Sequence, residues 1–480
     1  MVAEVKNLHG LSGEIEQMQS VYRQQREAFA LHPYPSAEER LDQLTRLKEM
    51  LLAHVDEICA AATADFGNRS IDETKIMEII TSLEGLKYNA KNVRRWMKPQ
   101  RRAIGALQFP ARAWVAYQPL GVVGVIAPWN YPLFLAIGPL VAALAAGNRV
   151  MIKMSEFTPH MGALLKTMLA KYFSEDQIAV INGEADVAAA FSSLPFDHLL
   201  FTGSTSIGRH VMRAAAENLT PVTLELGGKS PTIIADSYPM AEAASRIAFG
   251  KCYNAGQTCV ATDYVLCPES RVDELVQAMT DQVSQMYPTI RNNPDYTSII
   301  NERQYSRLQK VLADAKEKGA RIVEINPANE DMGDTRKIPL TLVFDVRDDM
   351  LIASEEIFGP LMPVVGYKTL KDAVQHVNDR PRPLALYYFD YNDQNCQYVL
   401  NNTHSGGVSL NDTISHVGVD DMAFGGIGPS GMGSYHGHEG FLTFSHAKSV
   451  LRKGRLNFLK ASLPPFGRGI HNFIYKLTLK

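Results

Sequence analysis

The stretch WVAYQPLGVVGVIAPWNYPLFLAIGPLVAALAAGNRVMIKM, residues 114–154, decides the fold. It begins with a strand-like segment over 114–128, continues into an apolar helix predicted over 133–146, and ends in the short strand RVMIKM. The helix is apolar on every side, which is typical of a helix covered by protein on all faces. It contains Gly138 and Pro139 and is somewhat short for a membrane span, so a buried helix is expected.

The alternation continues along the chain. Strands predicted at IAVING, HLLFTG and VTLELGG alternate with helices over 160–173, 185–192 and 207–217, and a second series runs from a helix over 240–254 to the strand LALYYFD. Residues 14–66 and 73–97 are predicted as amphipathic helices. Strand–helix alternation indicates parallel sheets covered on both faces. We therefore expect an α/β fold with two doubly wound parallel-sheet domains that meet near residue 225.

Composition restricts the class of protein. The chain has 480 residues, 46% of them hydrophobic, which is too long for one core. A net charge of −3 without a block of like charge predicts no nucleic-acid partner. The five cysteines are odd in number and include no CxxC pair, which favours a reduced, cytoplasmic protein. The first ten residues lack signal-peptide features, and no transmembrane segment is expected.

Three short motifs resemble known binding sites but do not meet their requirements. GIGPSG at 426–431 matches a dinucleotide fingerprint, but it does not stand between a strand and a helix. GGKS at 227–230 lacks the opening glycine of a P-loop, because residue 223 is Thr223. HGHE at 436–439 has no further ligands nearby, so no metal site is predicted.

Two segments offer cofactor contacts. TGSTSIG at 202–208 lies between a predicted strand and helix, where free N–H groups and the helix dipole suit a phosphate. Gly203 and Gly208 have the spacing of the outer fingerprint glycines, although a plain βα turn explains the segment equally well. Lys153 and Glu156 close another strand, where a solvated pair is the simpler interpretation.

Two further segments offer chemistry. Glu225 lies in the apolar strand VTLELGG, where burial would raise its pKa and suit a general base; a structural ion pair is the alternative. The following glycines suggest open space beside the carboxylate. Cys259, in AGQTCVATDYV at 255–265, stands among small and polar residues, unlike a cysteine that only fills a core. No histidine lies nearby in the sequence, which disfavours a papain-like hydrolase.

Together, PWNYP (128–132), KMSE (153–156), FTGSTSIG (201–208), LELGGKSP (224–231), GQTC (256–259) and EEIFGP (355–360) resemble the NAD(P)-dependent aldehyde dehydrogenase superfamily. The resemblance covers roughly residues 30–447. The ending FGGIGPSGMGSYHGHEGFLTFSH (424–446) resembles the class 3 branch, which includes fatty-aldehyde and coniferyl-aldehyde dehydrogenases. It implies oxidation of an aldehyde, either aromatic, such as coniferaldehyde, or a medium- or long-chain aliphatic one.

The resemblance also implies roles for the catalytic residues. Cys259 would attack the aldehyde to form a thiohemiacetal and then a thioester. Asn130 and the Cys259 N–H would stabilise the oxyanion, and Glu225 would activate water to release the acid. A CoA-acylating relative would instead pass the thioester to a thiol, and the presence of Glu225 argues against it. A catalytically silent protein on the same scaffold is the other alternative, disfavoured by the intact Cys259, Asn130 and Glu225.

For NAD, the resemblance implies that Lys153 and Glu156 hold the adenosine ribose, Glu356 holds the nicotinamide ribose, and Phe358 packs near the ring. The remaining implied cofactor contacts are Trp129, Gly203, Ser204, Thr205, Ser206, Ile207 and Gly208. Met154 replaces the proline of the common KPSE motif, which leaves the roles intact. The Glu156 carboxylate favours NAD because it would repel a 2′-phosphate, and NADP is kept as the second cofactor.

The resemblance further implies three regions. Residues 1–99 and 120–225 would form the NAD(P)-binding domain, and 226–406 the catalytic domain. Residues 100–119 and 407–480 would form an oligomerisation arm and C-terminal segment. Such arms join family members into dimers or pairs of dimers, and a homodimer is expected here.

Overall fold

The computed structural model describes residues 13–105, 108–455 and 463–479. Outside it lie the N-terminal segment predicted to lack a signal peptide and short parts of the predicted arm and C-terminal segment, at 106–107, 456–462 and 480. The helices of the described residues are α1 (Gly13–Leu31), α2 (Ala37–Ala53), α3 (Val55–Phe66), α4 (Ile71–Thr74), α5 (Thr81–Trp96), α6 (Phe134–Ala146), α7 (Pro159–Tyr172), α8 (Ala185–Ser192), α9 (Thr205–Ala216), α10 (Met240–Cys252), α11 (Val272–Met286), α12 (Glu302–Glu317), α13 (Leu351–Ser354), α14 (Leu370–Asn378), α15 (Asp393–Asn402), α16 (Gly437–Thr443) and α17 (Gly469–Thr478).

The strands form three sheets. They are β1 (Gln100–Arg102), β2 (Arg112–Pro119), β3 (Val122–Ile126), β4 (Arg149–Lys153), β5 (Ile178–Ile181), β6 (His198–Gly203), β7 (Val222–Leu226), β8 (Pro231–Ile234), β9 (Tyr264–Pro268), β10 (Arg321–Ile325), β11 (Leu340–Phe344), β12 (Leu361–Tyr367), β13 (Ala385–Phe389), β14 (Gly407–Leu410), β15 (Gly431–Met432) and β16 (Ser445–Arg452).

A six-stranded sheet has the order β15-β7-β6-β3-β4-β5, and every neighbouring pair is parallel except β15–β7. Side chains alternate between its faces, as the period of a strand requires. Along β4, Val150 and Ile152 join one hydrophobic cluster and Met151 joins another. The first cluster includes α6, and the second includes side chains of α1 and α9, so helices cover both faces.

The opening stretch supplies the centre of this sheet. Eleven of the thirteen residues of α6 are buried, which explains why the helix is apolar on every side. The prediction of one strand-like segment over 114–128 was too simple, because β2 and β3 belong to different sheets. The chain bends between them at Gly121, which has φ +146°, and a Cβ there would overlap the Asp197 carboxylate.

A seven-stranded sheet follows in the order β10-β11-β12-β9-β8-β13-β14, with only β10–β11 antiparallel. Two parallel sheets with helices confirm the predicted α/β class. The last strand, Gly407–Leu410, lies just beyond the predicted catalytic region and extends its sheet.

The third sheet, β1-β2-β16, is antiparallel and joins distant parts of the chain. Its longest ladder runs from Arg112 opposite Arg452 to Pro119 opposite Ser445. No helix in the described ranges combines the length and apolar content needed to cross a membrane.

Candidate active site

Cys259 follows a tightly held turn. After α10 the chain forms a short 3₁₀ turn in which Asn254, Ala255 and Gly256 all have positive φ values, of 49°, 50° and 72°. Gln257, fully buried, donates from Nε2 to the Asn254 and Ser298 carbonyls at 3.0 and 3.1 Å. Such strained backbone persists only where the surroundings enforce it, and it concentrates at functional sites.

The turn requires glycine at position 256. A Cβ there would lie 2.5 Å from the Gly359 carbonyl oxygen, so the backbones approach more closely than a side chain permits. On the other side, the Thr258 and Tyr131 hydroxyls share a 2.9 Å hydrogen bond. The segment before Cys259 is therefore fixed to the segment that carries Asn130.

The Cys259 thiol is half-buried, whereas the other four cysteines are buried. Burial raises its pKa to about 12, and the negative charges of Glu356 and Glu225 contribute to the rise. The two carboxylates therefore lie close enough to sense the thiol. Without a base or a change in surroundings, the sulfur keeps its proton at neutral pH.

Glu225 lies in β7, and its carboxylate is buried; within the described part of the chain neither oxygen has a hydrogen-bond partner. Burial raises its pKa well above the usual value for a glutamate. The alternative of a structural ion pair with Lys or Arg does not hold among the described residues. A carboxylate of this kind takes up a proton readily.

The glycines after Glu225 do not leave the open space that we expected. A Cβ on Gly227 would overlap the Glu356 carboxylate, so that side chain fills the space. On another side of Glu225, a Cβ on Gly425 would lie 3.2 Å from Oε1. Glu225 is thus enclosed partly by a segment two hundred residues later in the chain.

Asn130 is 3% exposed and precedes α6. Its carbonyl oxygen accepts hydrogen bonds from Arg69 Nη1 at 3.0 Å and from Asn254 Nδ2 at 2.9 Å. Among the described residues, no hydrogen bond engages its side-chain amide, which is available to a ligand. Asn254 links this position directly to the turn before Cys259.

Sequence reasoning missed a buried charged cluster behind Asn130. Arg69 Nη1 and Glu78 Oε1 lie 3.1 Å apart, with both side chains fully buried. Glu78 Oε2 also accepts the N–H groups of Leu133 and Phe134 at 2.7 and 3.1 Å, at the beginning of α6. Glu73 accepts the Asn254 N–H at 2.8 Å.

The winding of the helix explains why the sequence did not reveal this cluster. Glu73 and Glu78, five residues apart, would lie about 140° apart around an α-helix, so helical periodicity did not group them. The chain is π-helical over Lys75–Ile80, and this i→i+5 winding allows both side chains to be buried. The signal available in the sequence was Arg69 followed by two glutamates five residues apart, Glu73 and Glu78.

The carboxyl ends of the parallel strands collect the predicted residues. In the central order β7-β6-β3-β4, Glu225 lies near the end of β7, Gly203 ends β6, and Lys153 ends β4. Trp129 and Asn130 follow β3. Ligands bind at this edge of doubly wound sheets.

The turn at 203–208 is a helix N-terminus open to solvent. Ser204 caps α9 by accepting the Ile207 N–H at 3.4 Å, and Ile207 is 51% exposed. The Ser204 and Ser206 hydroxyls lie 3.1 Å apart, and Thr205 donates to the Pro429 carbonyl. Exposed N–H groups at a helix N-terminus fit a phosphate group.

Lys153 is buried and donates from Nζ to the Met154 and Gly183 carbonyls at 2.6 and 2.7 Å. Burial lowers its pKa, and the nearby Glu156 opposes that change. Glu156 itself is half-buried. The two charges therefore lie close enough to interact.

Glu356 and Phe358 approach from the other sheet. Burial and the charge of Asp263 raise the pKa of Glu356 to about 7, and no residue that the structure describes forms a hydrogen bond with its Oε1. Phe358, with φ +49°, packs edge-on against Trp129 with ring centroids 5.2 Å apart. The structure thus brings Glu356 to Cys259, and Phe358 to the segment containing Asn130.

Comparisons with known proteins agree with this geometry. The model of the aldehyde dehydrogenase family matches residues 9–450. The chain is 58% identical to a probable coniferyl aldehyde dehydrogenase of Pseudomonas aeruginosa, with 100% of both chains covered. It is 47% identical to the coniferyl aldehyde dehydrogenase of a Pseudomonas species, with 98% of both covered.

Solved structures give the same result. Substrate-bound AldH of Staphylococcus aureus superposes with a TM-score of 0.91 at 36% identity, covering 96% of this chain and 99% of that one. The indole-3-acetaldehyde dehydrogenase of P. syringae, in complex with NAD⁺ and IAA, superposes with a TM-score of 0.84 at 25% identity. The match covers 92% of this chain and 89% of that one. The chain therefore belongs to the aldehyde dehydrogenase family.

Proposed function

We propose that this enzyme oxidises an aromatic aldehyde of the coniferaldehyde type to its acid, with NAD as the hydride acceptor. The full-length similarity to coniferyl aldehyde dehydrogenases supports this substrate class. The observation that carries the chemistry is the half-buried thiol of Cys259, with the carboxylates of Glu225 and Glu356 close enough to raise its pKa.

In this proposal Cys259 is the nucleophile. Its thiol proton passes to Glu225, whose buried oxygens have no hydrogen-bond partner among the described residues. The sulfur then forms a bond to the aldehyde carbon, and the C=O π electrons move to the oxygen. The product is a thiohemiacetal oxyanion on Cys259.

Asn130 and the Cys259 N–H would stabilise that oxyanion. The Asn130 backbone is held from two sides, by Arg69 and Asn254, while its amide remains available. Donors fixed in advance need little reorganisation, and one such donor contributes about 3–4 kcal/mol in other enzymes.

Bound NAD(P) supplies the acceptor for the hydride that leaves the thiohemiacetal carbon. What remains on Cys259 is a thioester. Glu225 first releases the thiol proton to solvent. It then takes a proton from water, the hydroxide adds to the thioester carbon, and the C–S bond breaks to release the acid and the Cys259 thiolate, which takes its proton back from Glu225. The raised pKa of Glu225 makes its carboxylate a stronger base for this step.

The proposed cofactor site fits the side chains present. Lys153 and Glu156 would hold the adenosine ribose, and the turn from Gly203 to Gly208 the pyrophosphate. At the other end lie Trp129, Glu356 and Phe358. The open N-terminus of α9 and the orphaned Oε1 of Glu356 support this assignment. The Glu156 carboxylate favours NAD over NADP.

We also propose the regional assignment given above, with 1–99 and 120–225 binding the cofactor, 226–406 catalytic, and 100–119 with 407–480 forming the arm and C-terminal segment. Strand β16 leaves one edge of the arm sheet open, which suits pairing with a second copy in a homodimer or dimer of dimers. Light scattering coupled to size-exclusion chromatography tests the oligomeric state: a mass of two or four chains is expected, and a monomer mass would contradict the proposal. The five free cysteines support a cytoplasmic location.

The central experiment is NADH formation with coniferaldehyde, benzaldehydes, and short and long aliphatic aldehydes, with NAD and NADP in parallel and with and without CoA. Highest kcat/KM with coniferaldehyde and NAD, and a free acid as product, is the expected result. A higher kcat/KM for an aliphatic aldehyde would contradict the substrate class. A CoA-dependent thioester product would contradict the deacylation step.

A further inference from the structure

The segment that carries Glu356 and Phe358 is a loop that forms neither helix nor strand. It runs from the end of α13 at Ser354 to the beginning of β12 at Leu361. Phe358, inside it, has φ +49°, a backbone conformation that residues other than glycine rarely adopt and that persists only where the surroundings enforce it. Contacts from outside the loop must therefore hold its backbone in place.

Arg307, on α12, supplies two of these contacts. Its Nη1 donates to the Glu356 carbonyl oxygen at 3.3 Å, and its Nη2 donates to the Ile357 carbonyl oxygen at 2.5 Å. The planar guanidinium thus spans two consecutive peptide groups, a geometry that the single ammonium group of a lysine does not provide. Arg307 Nε also donates to Gln304 Oε1 at 2.9 Å, and this bond orients the guanidinium toward the loop.

Two further residues bind the same loop from a different part of the chain. Lys229 donates from Nζ to the Ile352 and Glu355 carbonyl oxygens, both at 2.9 Å. It also forms an ion pair with Asp263, whose other oxygen accepts the Ile357 N–H at 2.8 Å. Side chains from outside the loop therefore bind the carbonyl oxygen of every residue in 355–357.

The two cations differ in what their loss would leave behind. Without Lys229, the side chain of Asp263, which is 4% exposed, would lose its cation. The hydrogen bonds of Arg307 within the described part of the chain all go to neutral oxygens, and Arg307 is half-buried. Loss of Arg307 therefore releases the loop without leaving a buried carboxylate unpaired.

The side chains of the loop reach residues that follow strands of the six-stranded sheet. The Glu356 carboxylate fills the space beside Gly227, which follows β7, and Phe358 packs on Trp129, which follows β3. In the proposed complex the same carboxylate holds the nicotinamide ribose. Hydrogen bonds have a narrow range of length, so a backbone shift of about 1 Å would be enough to weaken that contact.

We propose that Arg307 is a positioning residue for the nicotinamide end of the cofactor. By holding the Glu356 and Ile357 carbonyls, it sets the place at which the Glu356 carboxylate meets the ribose. This inference rests on the proposed function, in which Glu356 binds that ribose. Arg307 acts through Glu356 and takes no part in bond making or breaking.

The test compares the Kd values of NADH and of AMP, which lacks the nicotinamide ribose, by isothermal titration calorimetry. Arg307→Met keeps a long unbranched side chain and removes the guanidinium. It should raise the Kd of NADH by about three- to tenfold, roughly the contribution of one hydrogen bond, and leave the Kd of AMP unchanged. Arg303→Met is the matched control, because Arg303 is exposed one turn earlier on the same helix, and both of its Kd values should equal those of the wild type.

A double-mutant cycle with Glu356→Ala shows whether Arg307 acts through the carboxylate. If it does, Arg307→Met has no further effect on the Kd of NADH once Glu356→Ala is present, because the two changes remove the same contact. An effect as large in the Glu356→Ala protein as in the wild type overturns the inference. So does an unchanged Kd of NADH in Arg307→Met, or an equal rise in the Kd of AMP.

The same measurements separate this inference from the proposed function. An unchanged Kd of NADH in Glu356→Ala removes the proposed role of Glu356 and this inference with it. A raised Kd in Glu356→Ala beside an unchanged one in Arg307→Met overturns only the inference. Should Arg307→Met not fold, Arg307→Lys decides, because lysine keeps the charge without the fork: a raised Kd of NADH supports the inference, and the wild-type value overturns it.

Discussion

Replacing Glu78 with glutamine tests the charged cluster behind Asn130. The substitution keeps an oxygen that can accept the N–H groups at the beginning of α6, but it removes the negative charge opposite Arg69. Both side chains are fully buried, so water cannot replace the lost partner. Arg69 also holds the Asn130 carbonyl, and stability and turnover should therefore fall together.

The size of the effect follows from burial. Breaking a fully buried ion pair by removing one partner costs about 3–5 kcal/mol, because the other charge stays buried and uncompensated. For a cooperative unit of about 150–250 residues, 1 kcal/mol shifts the thermal midpoint by about 2–4 °C. We therefore expect Glu78→Gln to lower the midpoint by about 6–20 °C in differential scanning calorimetry.

Glu84→Gln is the matched control. Glu84 lies on α5, is exposed, and makes no ion pair among the described residues. Its substitution should change stability by less than about 0.5 kcal/mol. A midpoint for Glu78→Gln within 2 °C of the control, roughly 1 kcal/mol or less, would refute the account of a tightly coupled buried pair. Lost stability with unchanged kcat/KM would instead separate the cluster from Asn130.

Three further predictions concern the chemistry. Cys259→Ala should abolish NADH formation while NADH binding, followed by fluorescence titration, survives; near-wild-type turnover would exclude Cys259 as the nucleophile. Glu225→Gln should slow both thiol deprotonation and thioester hydrolysis and lower kcat by about 10²–10⁴-fold, whereas full turnover would remove the base role. Because the pKa of Cys259 is raised to about 12, its alkylation by iodoacetamide in the cofactor-free protein should accelerate about tenfold per pH unit from pH 7 to 10. The other cysteines are buried, so the rate reports Cys259, and a plateau below pH 9 would contradict the raised pKa.

The alternation of strands and helices was predictable because it depends on local periodicity. Eleven residues of α6 are buried, so its sequence is continuously apolar and could be recognised without knowledge of its contacts. The division of 114–128 was not predictable in this way. It depends on Gly121 passing against Asp197, seventy-six residues away, and local pattern contains no record of that contact.

In the candidate active site, too, local patterns identified single residues but not the long-range contacts between them. Glu225 was found because a carboxylate in an apolar strand is conspicuous, and its burial follows from the strand. The use of Glu356 to fill the space beside Gly227 depends on how the two sheets meet, which no short motif specifies. His436 was set aside with its neighbour His438 as a weak metal motif, and the structure sends the two rings to different surroundings, Phe424 and Trp96.

The short strand β15 affects the order in which the surroundings of Glu225 assemble during synthesis. Gly431 pairs with Glu225, so the wall around the base is supplied by a segment made about two hundred residues later. Domains generally fold in the order in which the ribosome releases them. On the nascent chain, Cys259 can therefore exist beside a water-exposed Glu225, whose carboxylate has an ordinary affinity for protons. Docking of residues 425–433 completes the enclosure of Glu225 and so contributes to the raised pKa of its carboxyl.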